Sequence, residues 1–302
     1  MLLSVRIGMP QGLLYYQYGW LWEDFFRQLG ADIILSGETT RQTLVCGSRL
    51  DEVCLPAKVF FGHACALKEQ ADYLFAPRVV SIANGQYTCP KIIGMPDLLR
   101  ANAQLPPLID NEINLLQSRY KLIHTVVTIG QKLGKSSAAS LAAWGRALLR
   151  PRQAVVPVTA SGGLTVAVIG HPYVLYDKQV SLNVIGRLKR AAINVITPAA
   201  ISSKQAALAA RMLGKKIFWS GSQHIAGAAM ALMSGPKPVD GLIFFTCFSC
   251  GPDALIGELL IQQAQKRNIP CMILSVDEHT AEAGFVTRLE AYTDMLERGK
   301  KA

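Results

Sequence analysis

The sequence predicts an α/β fold built on parallel sheets. Three observations carry that expectation. Apolar runs of strand length alternate with helical periodicity from the first residues onward. The alternation stops near Leu108 and resumes near Leu164. The chain has 302 residues, 50% of them apolar, which is ample for two cores.

The elements follow in order. "LLSVRIG" reads as a strand that ends in Gly8-Met9-Pro10. "YYQYGWLWEDFFRQLG" has apolar residues at helical spacing and stops at Gly30, a natural C-cap. "ADIILS" is a second strand, "TTRQTLVCGSRL" and "PAKVFFGHACALKEQ" are helical, and "DYLFAP" is a third strand followed by "RVVSIAN". From Leu108, "LIDNEINLLQSRYKLIHTVVTIGQKLG" and "SSAASLAAWGRALL" predict helices with no strand between them. The turn cluster "RPRQAVVPVTASGG" reads as a hinge or linker. Strands then return as "LTVAVIG", "INVIT", "GLIFFT" and "CMILSVD". Helices "QVSLNVIGRLKRA", "SQHIAGAAMALM" and "PDALIGELLIQQAQKR" lie between them, and a last helix is expected from about Val286 to Arg298. The domain expectation is therefore 1–107, a helical connector and linker at 108–163, and 164–302.

Composition narrows the function classes. Few charged residues and an ordinary aromatic content argue against disorder. No stretch of about 18 apolar residues escapes a charge or turn signal, so no membrane span is expected. Arg6 and Gly-x-Pro interrupt the first apolar run, which argues against a secretory signal and for a cytoplasmic protein. The net charge is +10, but the basic residues are scattered and no basic run alternates with aromatics. Nucleic acid is not an expected partner. An acidic cofactor or acidic partner is the sharper reading, and a solvated basic surface the blander one.

The seven cysteines are more informative. An odd count in a large chain of this kind argues against a disulfide framework. Cys54 is followed by Leu-Pro56, Cys89 by Pro90, and Cys250 by Gly-Pro252, each before a helical pattern. Proline is favoured in the first turn of a helix. Each thiol is thus placed at a helix start, where unpaired N–H groups and the positive dipole end favour thiolate. Cys46, Cys65 and Cys271 lack this setting and read as packing residues. Cys247 lies three residues before Cys250 and either completes a four-thiolate site or packs. One CxxC with two distant cysteines matches neither a zinc ribbon nor a ferredoxin run. A site built from distant loops of two domains suits an interdomain cleft. Iron–sulfur, zinc, and packing or redox thiols all remain open on spacing alone.

Ligands of open α/β sheets bind beyond the carboxyl ends of the strands. In the second half those peptides are "GHPYVLYD", "FSCGPD" and "DEHTAEAG". Glu278 and His279, beside Asp277, are candidates for proton transfer, against a helix-capping acidic pair with an exposed histidine. His171 and Tyr173 either line a cleft or form a turn. Lys58 and Lys91 follow ligand candidates and would offset negative charge, or else are solvated surface lysines. His63 reads as a structural histidine in an apolar helix, and His124 and His224 carry no motif.

"IGMPQGLLYYQYGWLWEDFFRQLGADIILS", "DEVCLPAKVFFGHACAL", "DYLFAPRVVS", "YTCPKIIGMPDLL", "VIGHPYVLYD", "CGPDALIGELL" and "DEHTAEAGFVTRLEAYTD" occur in this order. Together they resemble the iron–sulfur proteins of the 2-hydroxyacyl-CoA dehydratase and benzoyl-CoA reductase superfamily. The closest resemblance is to the branch found beside, or fused to, the ATP-dependent activases. The resemblance implies two Rossmann-like domains with a [4Fe-4S] cluster in the interdomain cleft, held by Cys54, Cys89 and Cys250. Cys247 would close the site if it were a fourth ligand. It also implies an ATP-dependent activase as electron donor and a small or CoA-linked substrate, with the chain an iron–sulfur reductase or dehydratase component. Two alternatives stand beside this: a non-catalytic electron-transfer or regulatory subunit, and a two-domain ligand-binding protein with structural zinc. "LGKSSAAS" is not a P-loop, so ATP hydrolysis is assigned to the partner. A cluster shared across a homodimer would change which cysteines meet.

Overall fold

The computed structural model describes residues 4–116, 118, 120–150, 163–235 and 238–301. The chain divides into two compact units, Met1–Gln153 and Ala154–Ala302. The expected hinge, 150–163, lies outside the described residues apart from Arg150 and Gly163 at its ends.

The first unit begins with β1 (Arg6–Met9), α1 (Tyr15–Gln28), β2 (Asp32–Leu35), α2 (Arg41–Gly47), α3 (Leu55–Ala66) and β3 (Tyr73–Phe75). It continues with β4 (Arg78–Ser81), α4 (Pro90–Ile93), α5 (Met95–Asn102), β5 (Leu108–Ile109), β6 (Glu112–Asn114), α6 (Tyr120–Lys132) and α7 (Ser137–Leu149). Its main sheet is parallel, in the order β2-β1-β3-β5. Ile7 pairs with Ile33 on one side and with Tyr73 on the other. The strand order therefore reverses between β1 and β3, and a crevice opens beyond Met9 and Phe75. A second, two-stranded parallel sheet joins β4 to β6. Strands β5 and β6 correct the expectation that 108–116 is helical. Each is only two or three residues long, too short for alternation to show in the sequence.

Aromatic packing holds this unit together. Trp22 on α1 meets Phe75 at 4.8 Å and Trp144 on α7 at 5.1 Å between ring centroids. Arg150 adds an ion pair to the buried Asp24 at 2.7 Å, so α7 is fixed on α1 at two levels. Helices α2 and α3 cross with their backbones in contact. A methyl group on Gly62 would stand 2.0 Å from the Thr43 carbonyl oxygen, and one on Gly47 2.2 Å from that of Lys58. Only glycine permits that approach, and it fixes the turn between the helices that carries Cys54.

The second unit comprises β7 (Thr165–Ile169), α8 (Pro172–Leu175), α9 (Val184–Arg190), β8 (Asn194–Ile196), α10 (Ser203–Ala210) and α11 (Ser220–Ser234). There follow β9 (Gly241–Cys247), α12 (Gly251–Gln265), β10 (Cys271–Val276) and α13 (Glu282–Lys301). Its sheet is again parallel, in the order β10-β9-β7-β8. Val168 pairs with Ile243, and Val166 with Val195, so the order reverses between β7 and β9. Every residue of β9 is buried, which explains its unbroken apolar run. Helix α10 was not expected. Its capping box, Ser202 with Gln205, is the sequence signal that marks it. The last helix begins four residues earlier than expected, at Glu282 rather than Val286, and runs to Lys301. Its Tyr292 hydroxyl donates to the Leu242 and Pro270 carbonyls and ties α13 to the sheet. No helix among the described residues is long and apolar enough to cross a membrane.

Candidate functional site

The three cysteines chosen from their proline-marked turns all stand at helix starts. Cys54 is the N-cap of α3, Cys89 of α4 and Cys250 of α12, each with extended backbone and proline in the first turn. All three are half-buried, neither sealed in a core nor fully exposed. The Cys54 carbonyl accepts from Ala57 N–H at 3.0 Å, and the Cys89 carbonyl from Ile92 N–H at 2.9 Å, so both turns are closed by their own helices.

In the first unit the two cysteine turns are joined. Lys91 Nζ donates to the Glu52 carbonyl at 3.4 Å. Lys91 lies two residues beyond Cys89, and Glu52 two residues before Cys54. Glu52 itself has a positive φ of 54°, which directs the chain sharply into the turn before α3. Lys58 is buried at 9% exposure, one turn into α3, rather than solvated. His63 is fully buried farther along the same helix, with Thr39 Oγ1 at 2.9 Å from Nε2, which suits a structural role.

In the second unit the switch point between β7 and β9 gathers a polar group. Asp253, in the first turn of α12, is 1% exposed. His171 Nε2 lies 3.0 Å from its Oδ1, and Thr246 Oγ1 donates to its Oδ2 at 3.3 Å. Burial alone would raise the Asp253 carboxyl; His171, with hydrogen bonds from the Cys250 thiol and Thr246, outweighs it and holds the carboxyl below its ordinary value. An ionised carboxylate only accepts, so His171 Nε2 carries the hydrogen. The imidazole also stacks on Tyr173, 4.9 Å between centroids and 8° from parallel. Gly221 gives it room, since a methyl group there would meet the ring at 3.0 Å. His171, the N-cap of α8, thus reaches the first turn of α12, and Tyr173 stacks on it. Asp253 and Thr246 were missed from sequence. The signal was present, for Asp253 completes the quoted "CGPD".

Cys247 closes β9 and is 3% exposed, and its carbonyl accepts from Cys250 N–H at 3.1 Å. The peptide after β10 is a turn. Asp277 Oδ1 accepts from His279 N–H at 3.0 Å and from the Thr280 hydroxyl at 2.8 Å. His279 is exposed and Glu278 half-buried. Cys46, Cys65 and Cys271 are half-buried too. Burial and the neighbouring Cys46 push the Cys65 thiol up to about 12, and burial pushes Cys271 up to about 11. His224 Nε2 lies 3.3 Å from the Pro198 carbonyl oxygen.

Among the described residues, no three His, Cys, Asp or Glu side chains are grouped to hold a metal ion. The donor chemistry does fit an iron–sulfur group. Half-buried thiols at helix starts can supply thiolate sulfur, and first-turn N–H groups can satisfy it.

Residues 6–201 match the family model described as "CoA enzyme activase uncharacterised domain (DUF2229)". An uncharacterized protein of Methanocaldococcus jannaschii, MJ0800, is 30% identical over 87 residues. That match covers 28% of this chain and 21% of the relative, so the chain spans only about a fifth of the relative's length.

Proposed function

Because the chain belongs to the family of the CoA enzyme activase uncharacterised domain, we propose that it is a [4Fe-4S] protein served by an ATP-dependent activase. In this reading Cys54, Cys89 and Cys250 are the ligands, and the two units are the Rossmann-like halves around the site. The observation that carries it is the repeated setting of those thiols: three separate N-caps, each followed by proline. When bound, such a cluster supplies low-potential one-electron chemistry and, at an open iron, a Lewis acid for a small or CoA-linked substrate.

The chain's own residues would do the rest. Lys91 joins the Cys54 and Cys89 turns and adds positive charge near two thiolates. A metal-bound Cys250 has no proton to give, so the Asp253 carboxylate would keep only His171 and Thr246 as donors. Tyr173 holds the imidazole plane. His279 is exposed and able to exchange protons with water or substrate, with Glu278 beside it.

Cys247 separates a catalytic role from a carrier role. As a fourth ligand it would leave no iron open, and the chain would pass electrons on or regulate the activase. The test is reduction under strictly anaerobic conditions, followed by electron paramagnetic resonance. The signal of a reduced cluster should appear only with activase, reductant and ATP together. A signal that does not depend on ATP, or none with all three present, would overturn the activase reading.

A further inference from the structure

We propose that the first unit binds a small, uncharged ring compound in a cavity at the C-terminal end of its sheet. The cavity measures about 230 Å3 and lies where β1 ends at Met9 and β3 ends at Phe75. That is the point at which the strand order reverses, the usual place for a ligand in an open α/β sheet. An engineered apolar cavity of about 150 Å3 holds benzene. On that scale this one takes roughly nine or ten non-hydrogen atoms, the size of naphthalene or indole.

The lining decides the chemistry. Trp22, Trp144, Phe60 and Phe75 stand in the wall, and no Asp, Glu, Lys, Arg or His lines it among the described residues. A phosphate or carboxylate would lose its hydration there without gaining a charged partner. The Tyr15 hydroxyl is already engaged, donating to Glu23 Oε1 at 2.7 Å and accepting from Gln11 Nε2 at 3.2 Å. Trp22 braces both Phe75 and Trp144, so the walls are preformed. Flat aromatic faces favour a planar ring over a flexible chain, which would also lose rotamer freedom. Leu148 lines the cavity and is 55% exposed, so the cavity reaches the surface along α7.

Binding here needs no iron, so it is tested apart from the cluster. Full-length protein without added metal is titrated calorimetrically with naphthalene and with octan-1-ol. Saturable binding of one naphthalene per chain is expected, more tightly than octan-1-ol. Ala76→Leu and Ile92→Phe add bulk to the lining, and each should weaken naphthalene at least tenfold while circular dichroism stays unchanged. If neither variant folds, the wild-type titrations decide. No saturable naphthalene binding up to its solubility limit would overturn the proposal. So would unchanged affinity in a folded variant. Tighter binding of octan-1-ol would overturn the assignment to a ring.

Discussion

Lys91 reaches across to the Glu52 carbonyl and so ties the turn that presents Cys89 to the turn that presents Cys54. If these two thiols share a metal group, Lys91→Met should loosen their spacing without unfolding the unit. The expected result is at least a twofold loss of iron after desalting, with a melting temperature close to wild type. Full iron retention would show that the link is incidental.

Asp253 is the centre of the buried polar group in the second unit. Asp253→Ala leaves His171 and Thr246 without their common acceptor. The cost should be about 1–3 kcal/mol in urea unfolding, the penalty for stranded buried polar groups. Thr246→Val keeps the shorter His171–Asp253 bond and removes only the long bonds of the Thr246 hydroxyl, so it should cost less.

Two glycines should respond in opposite directions. Gly62→Ala would drive a methyl group into the Thr43 carbonyl and should destabilise the α2–α3 pair by about 1–3 kcal/mol. Gly145 lies in the exposed face of α7 with nothing near its missing methyl group. Gly145→Ala should stabilise by about 0.5–1 kcal/mol. Thermal unfolding of both variants checks the pair.

Thiol reactivity should sort the cysteines. Cys65 and Cys271, pushed up to about 12 and about 11, have very little thiolate near pH 8. Both should be alkylated by iodoacetamide far more slowly than a free thiol, by peptide mass mapping of metal-free protein. Rapid labelling of either would contradict their packing role.

The Arg6–Asp72 pair sets a pH dependence. The hydrogen bond from Arg6 holds the Asp72 carboxyl below its ordinary value. Its stabilisation is therefore present above the ordinary carboxylate range and lost as pH falls through the depressed value. The pair is exposed, so the effect is small. Asp72→Asn should lower the melting temperature slightly at pH 7, and the difference should vanish at pH 2.

Strand–helix alternation was legible in both units, because β7 and β9 are long apolar runs and α1 has clear periodicity. Short strands β5 and β6 were not, since two or three residues carry no period. The helix-start setting of Cys54, Cys89 and Cys250 was readable because proline marks the first turn of a helix. The role of Asp253 was not, because it depends on β7 lying beside β9, a pairing that brings residue 171 to residue 253. The aromatic cavity was hidden for the same reason. Its walls come from elements spread along the whole unit, from β1 and α1 to α7, and only the assembled unit brings them together.

The most direct measurement is the iron, acid-labile sulfide and zinc content of protein purified without oxygen. Native protein should hold about four irons and four sulfides per chain, and Cys54→Ala, Cys89→Ala and Cys250→Ala should each lose them. Retention in Cys247→Ala would indicate three thiolate ligands and an open iron, and loss would indicate a closed carrier. Zinc in place of iron, or no metal in the native protein, would contradict the iron–sulfur assignment.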